Sequence, residues 1–196
     1  MTTRIFKTEL IITFPFALLI ALMLACDKTG MISVSLIAVI LHEMGHLVAL
    51  YAYKRPPRKV ILRLCGVQMT QARLFESAVS ETIVAAAGPA ANLLVSAALL
   101  PLCEYRFFAA LCAAGIVIGA FNLIPLSGLD GGDILHCILS EKLTARTVYI
   151  TTCIVNVTII LAIAVLGTFL ALGPLNNPTM LIAAVYLALY VLIKRR

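Results

Sequence analysis

The chain has 196 residues, of which 62% are hydrophobic and only 12% charged, and its mean hydropathy is +1.07. Soluble domains carry roughly 45–50% apolar and about 25% charged residues, so a soluble globular protein is excluded and an integral membrane protein is indicated. The net charge of +6 is better explained by membrane topology than by nucleic acid, and no nucleic-acid partner is expected.

Six apolar segments reach or approach the roughly 17–25 residues that a membrane-spanning helix needs. They cover residues 10–26, 31–53, 81–102, 107–127, 147–171 and 178–193. The sequence therefore predicts an all-α integral membrane protein that forms a single polytopic domain over residues 1–196. The first segment follows a short basic stretch and resembles a signal peptide. We expect it to be retained, because cleavage near Cys26 would remove only one of several spans.

The second apolar segment carries the motif H-E-x-x-H, formed by His42, Glu43 and His46. Residues four apart lie one above the other on the same helix face, so the two imidazoles can share one zinc ion beside a glutamate that acts as general base. Ionisable side chains are costly in a bilayer and usually serve a function there. A channel or transporter could also use them to relay protons or ions, but it would not require this spacing.

Residues 60–72 differ from the flanking segments. Short, mildly alternating apolar runs surround Gly66, which favours a β-hairpin between the second and third helices over another membrane span. On this pattern alone, an ordinary cytosolic loop is an equal alternative.

A catalytic zinc needs three protein ligands and one open position. The third ligand is predicted in residues 122–133, where Pro125 and paired glycines interrupt an apolar helix and let the backbone bend toward a partner. Asp130 is the preferred carboxylate and Asp133 is its rival. His136 is interpreted as an interfacial residue that faces the cytosol.

The cationic residues orient the predicted bundle. With six spans, one side of the membrane collects thirteen of the fifteen Lys and Arg residues and the other side only Lys28 and Arg106. Positive residues concentrate on the cytoplasmic side, so both termini are predicted to be cytosolic in a multi-pass protein of the cell membrane. Since the second helix runs toward the cytosol, the metal should lie in the cytosolic half of the bilayer.

Three motifs together resemble the site-2 proteases, the intramembrane zinc metalloproteases. They are H-E-M-G-H at residues 42–46, G-P-x-x-N at residues 88–92 and N-x-x-P-x-x-x-L-D-G-G at residues 122–132. The six-helix plan without a PDZ insertion is similar to the stage IV sporulation-type subgroup. Two features depart from it: Leu126-Ser127-Gly128 stands in place of a proline-rich spacer, and the nucleotide-sensing CBS domain that the sporulation enzymes usually append is not expected. Regulation by ATP is therefore not expected.

The resemblance implies a metalloendopeptidase that hydrolyses a peptide bond in or near a transmembrane segment of a membrane protein substrate. Zinc would be held by His42, His46 and Asp130, with Glu43 as the base. It also favours a membrane re-entrant hairpin around Gly66, which we include as a candidate substrate-binding residue. Asn92 and Asn122 are candidate oxyanion or substrate ligands, although a helix–helix hydrogen bond is an equal alternative for each. The intact Glu43 argues against a catalytically idle homologue, and a regulatory membrane partner is left open.

Overall fold

The structure is a computed structural model that describes residues 2–5, 8–63, 66–71, 77–172 and 179–194. The chain divides into two compact units, Met1–Asn122 and Leu123–Arg196. The elements are β1 (Thr2–Ile5), β2 (Thr8–Ile12), α1 (Phe14–Cys26), α2 (Met31–Ala52), β3 (Pro57–Arg63), β4 (Gly66–Gln71), α3 (Ala78–Leu99), α4 (Arg106–Asn122), α5 (Asp130–Lys142), α6 (Ala145–Leu172) and α7 (Thr179–Lys194).

The helices follow the predicted apolar segments. Three of them are long and apolar enough to cross a membrane: Met31–Ala52, Ala145–Leu172, and Ala78–Leu102, in which a 3-10 turn at Leu100–Leu102 extends α3. Shorter apolar helices coincide with the other predicted segments, at Phe14–Cys26, Arg106–Asn122 and Thr179–Val191. A mostly helical membrane protein is confirmed at this level, whereas crossing by all six helices stays a prediction.

The first unit contains more β-structure than the sequence predicts. Its four strands form one sheet in the order β1-β2-β3-β4. β3 and β4 are antiparallel, with Leu62 opposite Val67, which confirms the hairpin predicted between α2 and α3. β1 and β2 form a second hairpin, and β2 runs parallel to β3. The description of the protein as all-α therefore needs correction.

Helix α1 begins later than predicted, because residues 10–12 belong to β2. Isoleucines at 11 and 12 suit a strand, and Thr13 ends it by donating from its N–H and its hydroxyl to the Leu62 carbonyl at 3.2 and 2.8 Å. Pro15 then lies in the first turn of α1, where its missing N–H removes no helical hydrogen bond.

Helices α2, α3 and α4 form the helical core of the first unit. Val34 and Ala38 of α2 are buried with Leu111 of α4. α2 and α3 approach closely at Gly45, where an added Cβ would overlap the Ala87 carbonyl oxygen and lie 2.7 Å from the Ala91 Cβ. Small residues at such a crossing let two backbones meet, as in other helix pairs within membranes.

The second unit begins with a non-helical segment, residues 123–129, and continues with α5, α6 and α7. The predicted fourth helix ends at Asn122 instead of residue 127, in keeping with the helix-breaking Pro125. Leu126 is fully buried with Leu187 and Val191 of α7. α5 is a separate helix with Asp130 and Asp133 in its first turn and Lys142 in its last, an arrangement that complements the helix dipole.

Candidate metal centre

The two imidazoles of the H-E-x-x-H motif converge on one point. His42 and His46 lie one turn apart on α2, and His42 is only 5% exposed. Their rings are nearly perpendicular, with an interplanar angle of 78° and centroids 4.9 Å apart. The two Nε2 atoms are 3.2 Å from each other. Both rings therefore present the same nitrogen to a shared position beside α2.

The tautomer of His46 is set by helix α3. His46 Nδ1 lies 2.8 Å from the Val84 carbonyl oxygen. A carbonyl can only accept, so Nδ1 carries the hydrogen and donates it, which leaves the lone pair on Nε2. Histidines that ligate metals almost always donate their other N–H in this way, because the bond fixes ring orientation and raises ligand basicity.

The spacing of the imidazole nitrogens fits a tetrahedral metal ion. Two nitrogens that share a zinc ion at about 2.0–2.1 Å, at a near-tetrahedral angle, lie roughly 3.3 Å apart. The measured separation of the Nε2 atoms is 3.2 Å. The two histidines thus need no rearrangement to act as a pair of ligands.

Gly88 of α3 forms the opposite wall of this site. A Cβ at position 88 would overlap His46 Nε2 and would lie 2.6 Å from His46 Cε1 and 2.8 Å from His42 Nε2. The space left by the missing side chain is thus where the two nitrogen lone pairs meet. A glycine at this position keeps the shared coordination point open.

Asn92 lies four residues after Gly88 and on the same face of α3. It is 1% exposed, and neither its Nδ2 nor its Oδ1 has a hydrogen-bond partner among the residues that the structure describes. A buried amide without partners costs free energy, so water or a ligand group is the natural partner for it. This makes Asn92 the stronger of the two candidate asparagines.

The other predicted residues lie in several elements. Glu43 is half-buried on α2 beside His42. Asn122 is the last residue of α4 and donates from Nδ2 to the Ile118 carbonyl of its own helix at 2.9 Å. Gly66 begins β4 opposite Arg63.

The two candidate carboxylates of helix α5 differ in their exposure. Asp130, the first residue of the helix, is half-buried, whereas Asp133 and His136 are exposed. Its lower exposure makes Asp130 the better candidate for a carboxylate ligand. Two imidazole nitrogens and one carboxylate oxygen are a donor set that zinc accepts at catalytic sites.

Two further residues have contacts that the sequence does not predict. Gly88 occurs in the G-P-x-x-N motif, which gives no sign of its contact with the imidazoles, and Asn156 of α6 lies outside every motif. Asn156 is 2% exposed in a predominantly apolar helix and bonds to Ser127. A lone amide in an apolar segment was the available signal, because polar side chains in membrane helices usually find a partner on another segment.

Comparison with known proteins relates the chain to metalloproteases. No protein-family model matches it. A zinc metalloprotease of Methanocaldococcus jannaschii is 31% identical over 115 residues, which cover 54% of this chain and 33% of that relative. The chain thus spans about one third of the length of this curated relative. A solved structure of the site-2 protease from Methanocaldococcus jannaschii matches with a TM-score of 0.72 and 19% identity, over 100% of this chain and 95% of that one.

The chain has the fold of a site-2 protease. The resemblance found in the three sequence motifs is therefore confirmed at the level of the fold. The stage IV sporulation-type subgroup stays a prediction.

Proposed function

We propose that this chain is an intramembrane zinc metalloprotease of the site-2 protease family. Its reaction would be the hydrolysis of a peptide bond in or near a transmembrane segment of a membrane protein substrate. The observation that carries the proposal is the His42–His46 pair, with Nε2 atoms 3.2 Å apart and Gly88 leaving their meeting point open. The likeness to a zinc metalloprotease and to the site-2 protease fold favours this function over a channel or transporter.

Zinc would be held by His42 and His46 of α2 together with Asp130 of α5. The pair of nitrogens has the separation that the ion requires, and the half-buried carboxylate at the start of α5 would be the third of the three protein ligands that a catalytic site needs. When bound, zinc supplies a Lewis acid that lowers the pKa of a water molecule and polarises the scissile carbonyl.

The remaining steps belong to residues of the chain. The Glu43 carboxylate takes a proton from the attacking water and later delivers it to the leaving nitrogen. The scissile carbonyl oxygen gains negative charge as the tetrahedral adduct forms, and a donor placed there stabilises it. Asn92 is suited to donate that hydrogen bond, because its buried amide has no partner among the described residues. Asn122 is the weaker candidate, since its Nδ2 already bonds to Ile118.

The substrate would bind as an extended strand at the hairpin. A helical substrate hides its carbonyls in its own hydrogen bonds and must unwind before attack. β4 is the last strand in the sheet order, so an unwound segment can pair with it as a fifth strand, beginning near Gly66.

The whole of residues 1–196 would act as one polytopic protease domain with six spans, as in the six-helix sporulation-type subgroup. Both termini would be cytosolic, and the metal would lie in the cytosolic half of the bilayer. The excess of cations on one predicted side supports this orientation.

The decisive experiment compares the wild-type chain with Glu43→Gln and His42→Ala. The wild type and Glu43→Gln should each bind about one zinc per chain, whereas His42→Ala should bind none, because His42 is a proposed zinc ligand and Glu43 is not. Glu43→Gln should lose roughly 10²–10⁴-fold in cleavage rate through loss of the general base. Metal analysis of the purified proteins measures the first effect. Comparative membrane proteomics of cells that carry either protein measures the second, as transmembrane segments that accumulate uncut.

Two results would count against the proposal. If the wild-type protein holds no zinc after purification in the presence of the metal, zinc-dependent hydrolysis is excluded. Equal turnover by the wild type and Glu43→Gln would show that another group is the base.

A further inference from the structure

Asn156 is a buried polar residue in the middle of the long apolar helix α6. It is 2% exposed. Its Oδ1 accepts from the Ser127 N–H at 3.0 Å, and its Nδ2 donates to the Ser127 Oγ at 2.9 Å. One side chain therefore holds a single residue of the non-helical segment 123–129 by two hydrogen bonds.

These two bonds define the geometry of the contact. The backbone N–H of Ser127 can only donate, so the amide oxygen of Asn156 must face it and the amide nitrogen must face the hydroxyl. A pair of parallel bonds fixes orientation as well as distance. The Ser127 N–H also lies outside any helix, and Asn156 satisfies it where water is scarce.

Ser127 is connected to Asp130 by a short hydrogen-bonded turn. The Leu129 N–H donates to the Leu126 carbonyl at 3.0 Å, and the Gly132 N–H donates to the Leu129 carbonyl at 3.0 Å. Within the first of these turns, Gly128 has a φ of +107°, a conformation that other residues rarely adopt. An added Cβ at this position would overlap the Tyr190 ring of α7. The segment is thus held in one conformation up to the residue where α5 begins.

The first turn of α5 packs tightly under the same segment. A Cβ at Gly131 would overlap the Leu123 carbonyl oxygen, and one at Gly132 would overlap the Leu126 carbonyl oxygen. A displacement of residues 126–127 should therefore move α5 as well, because the backbone at Gly132 lies too close to Leu126 and Ser127 for even a methyl group to fit between them. Asp130 is the first residue of that helix.

We infer that Asn156 is a positioning residue that sets the location of the Asp130 carboxylate by holding Ser127. The inference rests on the proposed function, in which Asp130 is the third zinc ligand. A purely structural role for Asn156 would affect stability alone. A positioning role must also change the metal centre, since partners that orient metal ligands typically contribute 10–100-fold in affinity or activity.

The test replaces Asn156 by leucine, which has a similar size and removes both hydrogen bonds. Zinc affinity is measured by competition with a chelator, and the absorption spectrum of the cobalt-substituted protein reports the coordination geometry. Asn156→Leu should bind zinc about 10–100-fold more weakly and should show a changed cobalt spectrum. Its kcat should fall while KM for a transmembrane substrate changes little.

A matched control separates positioning from stability. The Ser96 hydroxyl is buried and donates to the Cys112 carbonyl between α3 and α4 at 3.1 Å. Ser96→Ala therefore also removes a buried interhelical hydrogen bond. It should lower the melting temperature and leave the cobalt spectrum and zinc affinity as in the wild type.

A second variant keeps the test decisive if Asn156→Leu does not fold. Ser127→Ala removes only the hydroxyl and preserves the bond from the Ser127 N–H, so it should shift zinc affinity and the cobalt spectrum in the same direction by a smaller amount. Wild-type affinity and spectrum in the variants that fold would overturn this inference and leave the proposed function intact. A wild-type chain that binds no zinc would instead overturn the proposed function and, with it, the role of Asn156.

Discussion

Gly88 shows how one missing side chain can define a metal site. The two Nε2 atoms of His42 and His46 meet where a Cβ at position 88 would lie, at 2.8 Å from His42 Nε2 and in overlap with His46 Nε2. We predict that Gly88→Ala abolishes zinc binding, because the methyl group both fills the coordination point and displaces the imidazoles. Cleavage should be lost with the metal, and metal analysis of the purified variant measures the effect.

Gly119→Ala is the matched control for this prediction. Gly119 is also a helical glycine at a helix crossing, but an added Cβ there would lie 3.2 Å from the Pro89 carbonyl oxygen and 3.3 Å from the Leu93 Cγ. Shifts of a few tenths of an ångström accommodate such contacts, so this variant should keep its zinc. Full zinc occupancy in Gly88→Ala would contradict the assigned geometry.

The sequence predicts those site residues whose proximity follows from the geometry of a single helix. His42 and His46 lie one turn apart on any helix, so their pairing follows from spacing alone. The roles of Gly88 and Asn156 depend on contacts with segments distant in sequence, the imidazoles of α2 for Gly88 and Ser127 for Asn156. A lone amide in an apolar helix indicates that Asn156 has a partner on another segment, but the sequence names neither that partner nor the contact of Gly88, so these roles could not be derived from the pattern of residues.

Helix α2, which carries the imidazoles, is capped by a carboxylate from the preceding connection. Asp27 accepts from the N–H groups of Thr29 and Gly30 through Oδ1, and from those of Ile32 and Ser33 through Oδ2. Partial desolvation raises the pKa of Asp27, but the hydrogen bonds from Thr29, Ser33 and Ile32 outweigh it, so this pKa lies below its usual value of 3.8. The charged form is the one that caps the helix.

The lowered pKa predicts an acid-sensitive helix end. A carboxyl group with a depressed pKa in the folded state stabilises the fold above its unfolded pKa, and this contribution is lost as the pH falls through the folded value. We expect hydrogen exchange at Ile32 and Ser33 to be slow at neutral pH and, relative to other helical amides, faster below about pH 4. Asp27→Asn should exchange fast at both pH values, because it lacks the charge.

Glu104→Gln is the control for the acid response. Glu104 is an exposed acid in the connection between α3 and α4, and its replacement should leave exchange at Ile32 and Ser33 unchanged at every pH. An identical pH profile for the wild type and Asp27→Asn would show that the carboxylate does not cap α2.

The edge strand β4 allows the proposed mode of substrate binding to be tested. Proline cannot donate a backbone hydrogen bond and is poorly tolerated where a strand is paired. Replacing Val67 and Met69 by proline should therefore abolish cleavage of a transmembrane substrate while zinc content stays at the wild-type level. The control is Thr3→Pro in β1, the strand at the opposite edge of the sheet, which should keep its activity. Unchanged cleavage by the Val67 and Met69 variant would exclude strand addition at β4.

At the scale of elements, the sequence predicts the helices and breaks that apolar segments and Pro or Gly residues mark. The break before α5 follows from Pro125, whereas the hairpin after α2 is favoured over a loop only by the alternation around Gly66 together with the resemblance to site-2 proteases. The N-terminal strands are different, since β2 is stabilised by pairing with β3, about fifty residues away, through the register of Leu10 with Val60. An apolar run such as Leu10-Ile11-Ile12 fits a strand or a helix start equally, so only this pairing decides.

For the chain as a whole, the sheet indicates on which side of the membrane the ends of α1 and α2 lie. β1 and β2 precede α1, whereas β3 and β4 follow α2, and all four belong to one sheet. The four strands therefore lie at the same end of the α1–α2 pair. If both helices cross the bilayer, these strands share a side and the connection at residues 27–30 lies on the other side, as the distribution of cations predicts.

Labelling of single cysteines tests this orientation. In a background without the native cysteines, we place one cysteine at Lys28, Arg58 or Lys142, all of which are exposed. A membrane-impermeant maleimide should modify Lys28→Cys in intact cells and should reach Arg58→Cys and Lys142→Cys only after permeabilisation, because the cationic positions 58 and 142 are predicted to be cytosolic. Labelling of Lys28→Cys and Arg58→Cys from the same side would show that α1 and α2 do not both span the bilayer. Labelling of Lys142→Cys from outside would instead show that an odd number of spans separates positions 58 and 142. The C-terminal ends of α2 and α5 would then lie on opposite sides of the membrane, which would exclude a shared zinc site.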